Sequence, residues 1–374
     1  MAKKVSPLRF CIDISDNKVS LIKTNKSGRI VKAATAELPE IPETINDAYT
    51  SAVTRAIKKA ARKARIPKSF GMPCVMVTGG PNVVVRHFVW PDMTAEAFRS
   101  NLETEIAPYL PDDSGEYTIG YRISKRNDPN GSLSAAVDVL AAAVPLDLSN
   151  SYVKAAKKAG YKVQRIDLRE NARNKLVGAS PLTNKFSSYA ILDISSRQIN
   201  MAVYLEGVFY SNRYFAPIKN DVSNEQHDDD GLWQDAATDS VSALESATDM
   251  LVNEVSSIIN YLQYRERGSN VECILLYGDE NIMPHIMQSL AENLEMPVYK
   301  TEEWIKQSDK YEFMDAYGAL LLPSGTSVYK KSDINLKAYK KPGAGRQMLV
   351  PAICMFIILC ALNTVGIVIP RAEL

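Results

Sequence analysis

The strongest constraint on the fold of this chain is a phrase that its sequence contains twice. The first copy, CIDISDNKVSLIKTN, begins at Cys11, and the second, ILDISSRQINMAVYL, begins at Ile191. In both copies an apolar run ends in Asp-Ile-Ser, three polar residues follow, and an alternating apolar run resumes. Each copy predicts two strands joined by a tight polar turn. Two copies in register, each opening a long segment, indicate a duplicated half, so we expect two similar lobes.

The rest of the chain narrows the fold class and the kinds of partner. Strand and helix patterns alternate with short loops, which is typical of α/β proteins. The formal net charge of +1 argues against nucleic acid as a partner. The five cysteines show no CxxC spacing, so we predict neither a disulfide framework nor a zinc site. His227 precedes three aspartates, and we interpret this stretch as a solvated acidic loop without a metal site.

The C-terminal part of the sequence predicts a membrane anchor. Residues 347–370, QMLVPAICMFIILCALNTVGIVIP, contain no charged side chain. At about 1.5 Å per helical residue, this run can cross a hydrocarbon core of roughly 30 Å. The basic residues ahead of it are Lys330, Lys331, Lys337, Lys340, Lys341 and Arg346. By the positive-inside rule we expect one pass through the inner (cytoplasmic) membrane, with the body in the cytoplasm.

The two polar turns of the repeated phrase are candidates for phosphate binding. Backbone N–H groups of two opposed turns can form an anion-binding concavity. Asp13 and Asp193, which end the first strand of each copy, would face the metal ion of a nucleotide. Lys18 and Arg197 lie in the two turns and can contact phosphate. For one copy taken alone, an ordinary hairpin with a turn-capping aspartate is the alternative.

Three further segments resemble a known family. ILLYGDENIMPHIMQSLAENLEMPVY, which begins at Ile274, resembles the adenosine segment of the actin and sugar-kinase superfamily. Within that superfamily, VVVRHFVWPDMTAEAFRSNLETEIAPYLPDDSGEYTIGYRI and AAAVPLDLSNSYVKAAKKAGYKVQRIDL resemble the inserted subdomain of the PilM family of type IV pilus assembly proteins. The resemblance runs from about Arg9 to Leu322. It implies an α/β, actin-like (ASKHA, RNase H-like) two-domain body with an inserted subdomain.

This resemblance and the apolar tail together predict five parts of the chain. They are domain 1 at residues 1–90 and 165–185, the inserted subdomain at 91–164, domain 2 at 186–325, a basic linker at 326–346 and a transmembrane helix at 347–370.

The resemblance also implies ATP with Mg²⁺ as the cofactor. The implied nucleotide-binding residues are Asp13, Ser15, Lys18, Asp193, Ser195, Arg197, Glu254 and Gly278. Relatives have glycine where this chain has Ser15 and Ser195, and Asn200 replaces a later aspartate. Two acidic residues follow Gly278 where relatives have glycines. Because these changes add side chains and negative charge near the phosphates, ATP binding stays open, and we expect weak or absent hydrolysis.

The segment just before the apolar tail resembles part of a partner protein. SDINLKAYKK, at Ser332 to Lys341, is similar to the cytoplasmic N-terminal peptide of PilN, the single-pass protein that the PilM family binds in a groove. By this resemblance Ile334, Asn335 and Leu336 would occupy the groove of the same chain or of a neighbouring subunit. A plain basic linker is the alternative.

The function that these resemblances imply is a membrane-anchored actin-like scaffold in the inner-membrane assembly platform of a type IV pilus. PilN- and PilO-like proteins are the implied partners, and homo-oligomers are left open. The L subunit of type II secretion systems shares the plan of actin-like body and single span. An FtsA-like division protein would end in an interfacial amphipathic helix, whereas this tail is apolar all round. A sugar kinase needs a general base in its cleft, and the sequence offers no candidate.

Overall fold

The computed structural model describes residues 8–15, 17–67, 70–111, 116–125, 136–194, 199–215, 233–265, 270–278, 283–300, 303, 312–322 and 333–337. The chain divides into two compact units, Met1–Lys337 and Ala338–Leu374, and every described residue lies in the first. The predicted membrane helix at 347–370 and the acidic stretch at His227 lie outside the described residues. No helix within the described ranges is both long and apolar enough to cross a membrane.

The described residues form strands and helices in alternation. The strands are β1 (Phe10–Ser15), β2 (Lys18–Thr24), β3 (Ile30–Glu37), β4 (Met72–Thr78), β5 (Val84–Pro91), β6 (Tyr117–Lys125), β7 (Ala136–Pro145), β8 (Tyr161–Leu168), β9 (Tyr189–Ile194), β10 (Ile199–Leu205), β11 (Val208–Phe215), β12 (Cys273–Gly278) and β13 (Val298–Tyr299). The helices are α1 (Asp47–Lys63), α2 (Ala95–Ile106), α3 (Leu146–Lys158), α4 (Arg169–Gly178), α5 (Trp233–Arg265), α6 (Met283–Leu294) and α7 (Met314–Ala319), with 3₁₀ turns at Ala107–Tyr109 and Pro181–Asn184.

Two five-stranded sheets have the same plan. The first has the order β3-β2-β1-β4-β8 and the second the order β11-β10-β9-β12-β13. In each sheet the first three strands of the chain are antiparallel, and the two later strands are parallel to the first. Asp13 pairs with Ser20 on β2, and Asp193 pairs with Asn200 on β10, in the equivalent register. The prediction of two matched lobes from the repeated phrase is confirmed.

A third sheet of three strands, in the order β5-β7-β6, is inserted into the first lobe. One face of this sheet packs on α2, with Phe88 and Trp90 of β5 against Phe98 and Leu102. Thr94 is the N-cap of α2, and its hydroxyl accepts a hydrogen bond from the Ala97 N–H at 3.3 Å.

The strand pairings differ from the predicted division of the chain at two points. Residues 84–90 were assigned to domain 1, but β5 pairs with β7 in the third sheet, since its aromatic side chains find their apolar partners on α2. Residues 161–164 were assigned to the inserted subdomain, but β8 pairs along its whole length with β4 of the first sheet. Strand partners so distant in sequence are not encoded by a local apolar pattern.

Helices α4 and α7 pack against each other between the two five-stranded sheets. Gly318 of α7 permits their close approach, because a Cβ at this position would lie 2.1 Å from the Ala172 carbonyl oxygen of α4. Residues of both sheets, including Ile12 and Ile191, share one apolar core with these helices. On the far face of the second sheet, α5 and α6 cover a separate core. The crossing of α4 and α7 therefore joins the two lobes.

Candidate functional site

A groove between two sheet edges is occupied by the chain's own residues 333–337. One wall is β8, the edge strand of the first sheet, and the other is β6, the edge strand of the third. We call these five residues, Asp333 to Lys337, the docked segment. Ile334 and Leu336 are both 0% exposed and belong to the apolar core of the first lobe. Full burial of two aliphatic side chains stabilises this arrangement by roughly 1.5–3 kcal/mol each.

Hydrogen bonds fix the backbone of the docked segment against β8. The Leu336 N–H donates to the Ile166 carbonyl at 2.8 Å, which adds the segment to the exposed edge of the strand. The Asn335 side-chain oxygen accepts from the Ile166 N–H at 3.1 Å. On α3, the Ser149 hydroxyl donates to the Leu336 carbonyl at 2.9 Å. These contacts require an extended chain with an amide side chain between two aliphatic ones.

The β6 wall approaches the docked segment very closely at Gly120. A Cβ built at this glycine would lie 2.8 Å from the Asn335 carbonyl oxygen and 3.1 Å from the Leu336 side chain. Real Cβ atoms do not approach backbone oxygens so closely, so any larger residue at Gly120 must displace the segment. A glycine inside a strand often marks such a close backbone approach.

The start of the docked segment enters a buried charge cluster. Asp333 forms ion pairs with Arg165 of β8 and with Lys175 of α4, the latter at 3.0 Å. Both cations also contact Asp167, which is 0% exposed. The Asn171 side-chain amide donates to Asp333 at 2.8 Å and to Asp167 at 2.7 Å. Burial alone would raise the pKa of Asp333, but Lys175 and Arg165 hold that pKa below its usual value.

The first predicted phosphate turn keeps part of its expected geometry. Asp13 is buried at the end of β1, and its carboxylate accepts a hydrogen bond from the Ser15 hydroxyl at 2.9 Å. Ser15 lines a pocket of about 270 Å³ together with Gly79 and Gly80, whereas neither Asp13 nor Lys18 lines it. Lys18 is partly buried and pairs with Ser15 across the turn. The structure thus brings these three candidates together, with Ser15 facing the pocket.

The loop that forms the other side of this pocket contacts the second lobe. The Gly80 N–H donates to the Tyr214 hydroxyl of β11 at 3.2 Å. Burial raises the pKa of this hydroxyl above its usual value. The contact links the two lobes beside the first turn.

In the second lobe, the predicted metal-facing carboxylate has a different partner. Asp193 is paired with the Arg173 guanidinium of α4. The same guanidinium donates to Asp315 of α7 at 2.9 Å and to the side-chain oxygen of Asn200 at 3.0 Å. Burial would lower the pKa of Arg173, but Asp315 and Asp193 raise it above its usual value. A permanent cation from the protein therefore lies where the sequence predicts a bound metal ion.

The remaining nucleotide candidates do not complete a site in the described part of the chain. Ser195 and Arg197 lie outside the described residues. Gly278 has φ 134°, and a Cβ there would lie 1.8 Å from the Ile194 carbonyl oxygen, so the packing of β12 on β9 by itself requires glycine. Glu254 of α5 lines a separate pocket with residues of β11 such as Arg213.

The surroundings of Asp193 do not fit a Mg²⁺ ion, because Arg173 already neutralises the Asp193 carboxylate and donates a hydrogen bond to it. Among the described residues, no group of three His, Cys, Asp or Glu side chains is arranged to hold a metal. We therefore assign no step to a bound metal in this cleft.

The charged residues of α4 are not among the predicted site residues. Arg169, Arg173 and Lys175 are all 1% exposed or less. The signal was available in RENARNK, where Arg169 and Arg173 are four residues apart, since like charges at that spacing destabilise a helix unless acidic partners lie nearby. Asp315 of α7 supplies that partner to both arginines.

Comparisons with known proteins agree with this architecture. The family described as type IV pilus assembly protein PilM matches residues 11–305. The solved structure of a PilM–PilN type IV pilus biogenesis complex matches with a TM-score of 0.64 and 15% identity, over 83% of this chain and 97% of that chain. The ethanolamine utilization protein EutJ from Carboxydothermus hydrogenoformans has a TM-score of 0.47 and 9% identity, over 85% of this chain and 92% of that chain. No curated protein matches the sequence.

The family match covers most of the chain, and the structural match shows the shared actin-like fold of the body. Both agree with the two matched sheets and the inserted third sheet that the structure shows. The chain belongs to the PilM family of type IV pilus assembly proteins.

Proposed function

We propose that this protein is a membrane-anchored scaffold of a type IV pilus assembly platform, in which the groove holds a PilN-like segment of the same chain. The observation that carries the proposal is the docked segment, whose Ile334 and Leu336 are fully buried against β8. Nine residues separate Lys337 from the apolar run at 347–370, which would place the body at the cytoplasmic face of the inner membrane.

Docking within one chain is favoured by a side chain of β8 that contacts both α7 and the docked segment. The Arg165 guanidinium donates to the Ala319 carbonyl at 2.9 Å and also pairs with Asp333. Ala319 and Asp333, which are fourteen residues apart in the sequence, therefore contact the same side chain. A short tether also gives the segment a high effective concentration at its own groove.

Occupation of the groove by residues 333–337 restricts how PilN- and PilO-like partners would bind. The PilM of the matching structure is in complex with PilN. If the groove of this chain already holds residues 333–337, a separate PilN-like peptide must displace them. We therefore propose that PilN- and PilO-like proteins associate with the anchored assembly mainly through surfaces outside the filled groove.

A pull-down of the full-length chain from detergent-solubilised membranes tests this function. We expect platform proteins of a type IV pilus to be recovered with it. Recovery of a type II secretion platform would support the L-subunit alternative. Recovery of division-ring proteins or glycolytic enzymes alone would contradict the proposal.

The Gly120→Val variant is expected to release the docked segment without unfolding the body. Valine suits a strand, but its Cβ would occupy the space of the Asn335 carbonyl. We expect trypsin to cleave after Lys337 at least about ten times faster, which corresponds to roughly 1.4 kcal/mol of lost docking. The control is Ile119→Val, since the neighbouring side chain of β6 faces α2. Equal cleavage of the two variants would show that Gly120 does not border the segment.

We further propose that the body works without a catalytic metal at Asp193, and that any ATP it binds serves as a structural ligand. Because Arg173 already pairs with Asp193, we expect millimolar Mg²⁺ to change the melting temperature by less than about 1 °C. The measurement is a thermal scan of the full-length protein with and without Mg²⁺, with ATP present or absent. A rise of several degrees that disappears in Asp193→Asn would contradict this proposal.

A further inference from the structure

We propose that the groove selects its peptide by charge, and that it requires an aspartate directly before the apolar–Asn–apolar triplet. The inference rests on the proposed function of the groove as a peptide site. It adds the chemical class of the occupant: an extended segment of the form Asp-Ile-Asn-Leu, led by a carboxylate. Asp333 is the residue of the docked segment that determines this specificity.

The groove wall presents more positive than negative charge to the start of the docked segment. Arg165 and Lys175 face the start of the docked segment, and Asp167 is the wall carboxylate that contacts both of them. Lys175 and Asp167 are buried completely, and Arg165 exposes 21% of its side chain. The cations that contact Asp333 directly are therefore two, and they share one wall carboxylate, Asp167. Asp333 supplies the missing negative charge by pairing with both cations.

A buried cation of the groove wall that lacks a counter-ion would weaken peptide binding strongly. Removing one partner of a buried ion pair costs far more than removing a pair at the surface, because the other charge stays without water or a counter-ion. A peptide that carries a neutral residue at this position would leave one positive charge of the wall in that condition. A lysine or arginine there would add a third positive charge.

The hydrogen-bond geometry also favours aspartate over its amide. Both carboxylate oxygens of Asp333 are used: one faces Arg165 and Lys175, and the other accepts from the Asn171 amide at 2.8 Å and from the Ile334 N–H at 3.1 Å. The orientation of Asn171 is fixed, because its oxygen accepts from Arg122 at 2.8 Å. An asparagine at position 333 would have to direct its NH₂ group toward a cation or toward the donating amide of Asn171.

The test measures peptide binding to the full-length chain carrying Asn335→Ala and Leu336→Ala, which weakens the competing docked segment. The probe is a fluorescent peptide, SDINLKAYKK, compared with its Asp333→Asn and Asp333→Glu forms. We expect the asparagine form to bind at least about 30-fold more weakly, and the glutamate form to bind more weakly than aspartate because it is one methylene longer. Equal binding of all three would overturn charge selection and leave the groove as a peptide site. Failure of every form to bind would overturn the proposed function itself.

A matched change in the wall separates charge from shape. In a chain that also carries Lys175→Met, Asp333 and Asp167 compete for Arg165, so the preference for aspartate over asparagine should fall to within about threefold or reverse. If that variant does not fold, Arg165→Gln gives the same test at a side chain that reaches the surface. An undiminished preference in both variants would contradict the assignment.

Discussion

Replacing Arg173 with methionine is expected to lower the free energy of unfolding by about 3–5 kcal/mol. The guanidinium neutralises Asp193 of the second lobe and Asp315 of α7 at once, and all three side chains are buried. Methionine matches the length of the arginine stem but leaves both carboxylates without their shared counter-ion. For a domain of this size, the loss corresponds to a fall in melting temperature of roughly 10 °C, measured by circular dichroism.

Two controls make the Arg173 result specific. Arg213→Met removes an exposed arginine of β11, and we expect it to change the stability by less than about 0.5 kcal/mol. Adding Asp193→Asn to Arg173→Met should recover part of the loss, because it removes the buried negative charge that Arg173 neutralises in the second lobe. A melting temperature of Arg173→Met equal to that of Arg213→Met would show that the guanidinium does not join the lobes.

The second large effect is expected at the docked segment itself. Leu336→Ala removes a fully buried side chain, which costs about 2–5 kcal/mol at a site that cannot collapse. Because the segment can leave the groove while the rest of the body stays folded, we expect local release before global unfolding. The measurement is the rate of trypsin cleavage after Lys337, which should rise at least about tenfold.

Leu322→Ala is the matched control for this release. Leu322 is 40% exposed and precedes Leu336 by fourteen residues in the sequence. The same chemical change at Leu322 should therefore leave the rate of cleavage after Lys337 unaltered within about twofold. A rise of similar size in both variants would indicate general loosening of the C-terminal part of the body. No rise in Leu336→Ala would show that Leu336 does not hold the segment in the groove.

The repeated phrase predicted the fold well because its information is local. Alternating apolar residues and polar turns define β1, β2, β9 and β10. Two matched hairpins of this kind are compatible with few folds. For β5, by contrast, the sequence predicts a strand but not the sheet to which the strand belongs. Its pairing with β7 depends on residues far along the chain and on α2, which no local pattern records.

The sequence predicts the groove residues better than it predicts the surroundings of Asp193, for a similar reason. We predict Ile334, Asn335 and Leu336 as groove residues because SDINLKAYKK resembles the PilN peptide, and in the structure they lie between β6 and β8. Asp193 was predicted to face a metal, and the structure pairs it with Arg173. A charged residue in a helix is normally exposed to solvent, so the spacing of Arg169 and Arg173 indicates a nearby acidic partner but not the burial of this arginine.

The amide of Leu336 gives the most direct test of the central claim, that the body holds residues 333–337 of its own chain. Its hydrogen bond to the Ile166 carbonyl and its complete burial should slow hydrogen–deuterium exchange strongly relative to the free peptide SDINLKAYKK. The account predicts that this protection is independent of protein concentration and is lost in Gly120→Val. Exchange as fast as in the free peptide, or protection that appears only as the protein is concentrated, would contradict it.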